Sequence, residues 1–99
     1  KMALMGITVV PLGTSSPSVS KYVTQAVRIL REEGVKYELT PMATVIEGDV
    51  DKLLSIAKKM HLATFSKDVR RVVTSITIDD RRDKKSTMEG KVASVKRKL

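Results

Sequence analysis

Residues Ala3 to Leu12 are apolar or β-branched almost without a break, and the run closes at Pro11-Leu12-Gly13. It reads as a strand, apolar on both faces except at Thr8. A strand of that kind is ordinarily covered on both faces. The hydroxyl-rich loop Thr14-Ser15-Ser16-Pro17-Ser18 follows. Ser16 before Pro17 fits a helix N-cap with proline in the first turn. Val19, Tyr22, Val23, Ala26, Val27 and Leu30 then recur at helical spacing, and Gly34 is suited to stop that helix.

Val35 to Leu39 alternates apolar and polar side chains and predicts a second strand. Its charged face suggests a sheet edge. Pro41 breaks the strand, and Met42 to Glu47 predicts a third. Gly48-Asp49 ends this strand and caps a second helix, whose apolar stripe is read as Val50, Leu53, Leu54, Ala57, Met60 or His61, and Thr64. Arg71 to Asp79 predicts a fourth strand. Beyond it, Met88, Val92, Val95 and Leu99 mark one face of a last helix.

The order β-α-β-β-α-β-α predicts an α+β fold, a ferredoxin-like βαββαβ sandwich with an additional C-terminal helix. No repeat, linker or low-complexity stretch interrupts it, so residues 1–99 read as a single domain. The first and third strands are expected to be central and parallel, with the first also paired to the fourth. Helices cover one face of such a sheet. The doubly apolar first strand therefore asks for a second cover, supplied by a homo-oligomer packed through sheets or by the last helix folding back.

Composition narrows the function. Hydrophobic residues make up 41% and charged residues 30%, which suits a folded domain. No apolar run approaches the roughly 20 residues of a membrane-spanning helix. The apolar start at Met2 to Met5 leads straight into a strand pattern, so no signal peptide is read, and Lys1 ahead of Met2 reads as a processing remnant. The chain has no cysteine. That removes disulfides and thiolate metal sites and fits a reducing cytoplasm, the expected location. The net charge of +8, from 19 Lys and Arg against 11 Asp and Glu, favours anionic partners without naming one. Base stacking by an RNA-recognition sheet needs aromatic residues on its central strands. Tyr22, Tyr37 and Phe65 are the only aromatic residues, and none lies on the first or last predicted strand. An RNA-binding module is therefore the weakest reading.

Catalytic motifs are absent. His61 is the one histidine and is better placed for packing than for metal binding. There is no nucleophile elbow, P-loop or dinucleotide fingerprint. No enzyme activity, cofactor or metal is expected. Three polar clusters remain. Thr14-Ser15-Ser16 can cap a helix or grip a ligand oxygen. Thr44 and Glu47 lie on the third strand, with Glu47 on the face of Ala43 and Val45. Asp79, Asp80, Arg81, Arg82 and Asp83 form a mixed-charge turn, ordinarily a local salt-bridge network, although its three carboxylates could also hold a cationic group or a hard metal ion.

Pro11-Leu12-Gly13-Thr14, Tyr22-Val23, Tyr37-Glu38-Leu39, Pro41 to Gly48, and above all Ile78-Asp79-Asp80-Arg81-Arg82-Asp83 resemble the small thiamine-binding protein family related to YkoF. The likeness extends through Lys91, Val92, Ser94 and Val95. The family pattern carries glycine where this chain has Ala43. The resemblance implies a ferredoxin-like homotetramer, a dimer of dimers. It also implies non-catalytic binding of thiamine or its hydroxymethylpyrimidine moiety, in transport or salvage. The alternative is a structural or regulatory homo-oligomer of unknown ligand. A carboxylate suits the aminopyrimidine through hydrogen bonds and the thiazolium through charge. With the first and third strands taken as parallel, Thr14, Ser16, Thr44 and Glu47 should gather at one sheet edge as the ligand site. Asp79, Asp80 and Arg81 should then lie at the other edge, as interface residues or as ligand contacts from a second subunit.

Overall fold

A computed structural model describes residues 2–13, 20–83 and 87–99 of the chain. The elements are β1 (Ala3–Leu12), α1 (Ser20–Glu33), β2 (Lys36–Leu39), β3 (Thr44–Gly48), α2 (Val50–Thr64), β4 (Arg71–Asp79) and α3 (Met88–Lys98). The fold is α+β and ferredoxin-like, with α3 as the additional C-terminal helix. The reading of Ser16 and Pro17 as a cap lies outside the described residues.

The sheet order is β2-β3-β1-β4, and every neighbouring pair is antiparallel. This corrects the expectation of parallel first and third strands. The α1 crossover makes β2 run with β1, and the tight connection at Pro41 turns β3 back, so β3 must oppose β1. Thr40 builds that connection. Its hydroxyl donates to the Ala43 carbonyl at 2.7 Å and accepts from the Ala43 amide at 3.0 Å. Residues 41–43 are thereby held in a turn, and β3 starts at Thr44 rather than at Met42.

Alternate residues of β1 face opposite sides of the sheet. Ala3, Met5 and Ile7 join Ile46 of β3, Leu30 of α1, and Leu53, Ile56, Ala57 and Met60 of α2 in one buried core. The inward stripe of α2 therefore uses Ile56, not Leu54, which is exposed. A helix turns about 100° per residue, so Leu53, Ile56, Ala57 and Met60 share a face that Leu54 leaves. Asp49 caps α2 by accepting the Lys52 amide at 2.9 Å. Gly34 ends α1 at φ 66°, a backbone angle that favours glycine. His61 of α2 is a packing residue. It shares a 2.7 Å hydrogen bond with Thr74 Oγ1 of β4 and meets Phe65 edge to face.

Candidate functional site

The antiparallel register sets four side chains in a row on the face opposite the core. Lys36 of β2 pairs with Glu47 of β3, Glu47 with Leu4 of β1, and Leu4 with Asp79 of β4. Glu47 and Asp79 thus flank the same β1 residue. The sequence expectation set Glu47 at the Thr14 end of the sheet and Asp79 at the opposite edge. The reversed direction of β3 overturns it: Glu47 pairs near the start of β1, while β1 runs away toward Leu12.

Two of the four side chains in this row are buried, Leu4 at 7% exposure and Glu47 at 6%. Among the described residues, Glu47 Oε1 is the buried side-chain oxygen without a hydrogen-bond partner. An isolated buried carboxylate is unfavourable, so the position is notable on energetic grounds alone. The first turn of α3 is tied to both ends of the row. Glu89 forms an ion pair with Lys36, and Lys91 forms one with Asp79. Met88, at the start of α3, is buried. Thr87 caps the helix by accepting the Gly90 amide at 2.9 Å. Beside the row, between β2 and α3, lies an open groove of about 550 Å³ lined by Lys36, Tyr37, Met88, Glu89, Val92 and Lys96 among others.

Thr44 sits elsewhere. It lies three residues from Glu47 on β3 and so faces the helix side. There it lines a cleft of about 260 Å³ with Thr8, Tyr22, Thr40, Met42 and Met60. Thr14 and Ser16 lie outside the described residues. Of the four side chains expected to form one site, Thr44 and Glu47 are therefore on opposite faces of the sheet.

The Asp79–Asp83 turn is a local charge network. Arg81 donates to both Asp83 oxygens, at 2.6 and 3.0 Å, and Arg82 pairs with Asp80 at 3.3 Å. The Asp83 hydrogen bond holds the Arg81 guanidinium above its usual pKa. Asp79 is taken by Lys91. These carboxylates are neutralised by neighbours on the same chain, and no group of three or more metal-ligating side chains gathers among the described residues.

Chemically, the distinctive group is Glu47. A buried carboxylate beside a groove can accept hydrogen bonds from N–H donors or face a cation. Sequence reasoning found Glu47 itself. It missed Lys36, Glu89 and the latching role of Lys91, because those depend on where α3 docks. Two signals were available: Met88 on the α3 stripe, and Lys36 on the polar face of β2.

Comparison with known proteins places the chain in a family. The sequence model described as thiamine-binding protein matches residues 5–96. The UPF0045 protein YqgV of Bacillus subtilis is 47% identical over 102 residues, covering 99% of this chain and 98% of its own. The crystal structure of the hypothetical protein MJ1052 of Methanocaldococcus jannaschii superposes with a TM-score of 0.87 at 37% identity, covering 96% of both chains. A Thermotoga maritima protein provisionally assigned to thiamine biosynthesis or salvage shares the fold, with a TM-score of 0.79 at 23% identity over 96% of this chain and 99% of its own.

Proposed function

We propose, for a chain that belongs to the thiamine-binding protein family, that it binds thiamine or the hydroxymethylpyrimidine part of thiamine without transforming it, in a transport or salvage role. One observation carries this reading: the buried Glu47 carboxylate, whose Oε1 has no partner. An aminopyrimidine offers an exocyclic amine, whose N–H a carboxylate accepts well, and a ring nitrogen that becomes a second N–H donor when it is protonated. The thiazolium cation would also gain from a nearby negative charge, which the molecule must supply locally because its net charge is +8. The β2–α3 groove supports the same reading, since it adjoins Glu47 through Lys36 and offers space for the rest of such a ligand.

Thr44 belongs to a separate cleft on the helix side, so a ligand held by Glu47 would not reach it. Asp79, Asp80 and Arg81 serve the junction between β4 and α3 in this reading, and the contact between subunits. Assembly as a homotetramer is part of the proposal. Val10 and Val73, cross-strand partners on the face away from α1 and α2, are 45% and 44% exposed. Val95 on α3 is 59% exposed. Paired valines on a sheet face suit burial against the same face of a second copy.

Calorimetric titration with thiamine, thiamine phosphates and hydroxymethylpyrimidine tests the function. Saturable binding of at least one, lost in Glu47→Gln with the fold intact by circular dichroism, is the expected result. No saturable binding by any of the three overturns the reading.

A further inference from the structure

Glu47 is buried, and α3, which is tied to both ends of its row, is held there by two surface ion pairs and by the buried Met88. Neighbouring strands lie about 4.8 Å apart, so the row from Lys36 to Asp79 spans about 14 Å across three gaps. A helix with its side chains is about 10–12 Å across. Glu89 and Lys91 lie two positions apart on α3 and so project from nearly opposite sides of the helix. Glu89 takes the β2 end of the row and Lys91 the β4 end. The first turn of α3 is thereby set over the middle of the row, where Glu47 and Leu4 lie. All four ion-pair side chains are solvent-exposed, and exposed pairs are weak and screened by salt. Lys36 and Glu89 also line the groove, and Lys36 is the cross-strand partner of Glu47, so the groove adjoins the row on its β2 side.

We infer that α3 is a lid over Glu47, latched by the Lys36–Glu89 and Asp79–Lys91 ion pairs, and that a ligand passes from the β2–α3 groove to the carboxylate when this lid lifts. The inference rests on the reading of Glu47 as the ligand's acceptor. It adds that admission is controlled electrostatically. The ligand class is then one with an N–H donor, such as an exocyclic amine, that can take the carboxylate once the turn above it has moved. The orphan oxygen is the closed state of a site completed by its occupant.

Two measurements on the full chain test this, using Glu89→Gln/Lys91→Met, which leaves Glu47 and Lys36 in place. The first is carboxyl labelling of the ligand-free protein with a carbodiimide and an amine, read by mass spectrometry at Glu47. Labelling should be slow in the parent protein at low salt and should speed up both at high salt and in the double variant. The second is stopped-flow association with thiamine. The double variant should associate about two- to thirtyfold faster at low salt, the range expected for loss of two exposed ion pairs. It should also lose most of the salt dependence seen in the parent protein. Equal Glu47 labelling in parent and variant overturns the lid whether or not thiamine binds. Equal association rates with saturable thiamine binding overturn it while leaving the proposed function standing. Absent thiamine binding with faster labelling overturns the proposed ligand and keeps the lid.

Discussion

A carboxylate buried on a sheet face beside Leu4 contributes nothing evident to stability. Desolvating it is costly, and Oε1 recovers no hydrogen bond among the described residues. Glu47→Leu should therefore leave the protein as stable as before, or stabilise it by about 1–3 kcal/mol, in urea denaturation. The same variant should lose thiamine binding. A marked loss of stability would show instead that Glu47 holds the fold together. This residue was legible in the sequence as the one carboxylate among the apolar positions of the third strand. Its surroundings were not, because the neighbours of a strand residue are set by strand direction. Reading β3 as parallel to β1 exchanged Asp79 for Thr14 beside it. His61 was legible as a packing residue for the opposite reason: its role is fixed by its own helix and by the strand beneath it.

Elements were readable wherever local chemistry decides. The bounds of β1 and β4 follow from stretches rich in β-branched and apolar residues, and Gly48-Asp49 announces the end of β3 and the cap of α2. Asp49→Ala should lower stability by about 1 kcal/mol, measured as a shift in the denaturation midpoint, because the Lys52 amide then loses its acceptor. Apolar periodicity places the start of β3 two residues early, since the Thr40 hydroxyl closes a turn that periodicity does not reveal. Periodicity alone runs the α2 stripe through Leu54 instead of Ile56, an angular slip that only the packed sheet resolves. The position of α3 was the least legible feature. Its apolar stripe gave the helix, but two ion pairs from different strands set where it lies.

At the scale of the molecule, the sheet is clothed unevenly. The helix side carries the core, and the opposite side is covered at the Leu4–Glu47 end but open toward Val10 and Val73. No helix among the described residues is long and apolar enough to cross a membrane. The proposed partner for the open valines is a second copy of the chain. Val10→Lys should then move the mass measured by light scattering from a multiple of 10.9 kDa toward the single-chain value. It should do so without loss of helical circular dichroism, since Val10 faces away from the core. An unchanged mass would place the subunit contact elsewhere. The sequence announced the need for a second cover through the doubly apolar β1. It did not say which part of that face α3 would take, because the answer depends on charges far apart in the chain.

Pairing of β1 with β4 also has a temporal side. During synthesis, the central strand emerges first and its β4 partner last among the strands, with Leu4 waiting for Asp79 across most of the described chain. Until then, β3 can protect only one edge of β1, and only as far as Ile7. Contacts so distant in sequence close slowly. The nascent chain therefore passes through an interval in which its most apolar strand is exposed. Until β4 appears, β1 presents an unpaired edge, the kind of surface through which partly formed sheets associate wrongly.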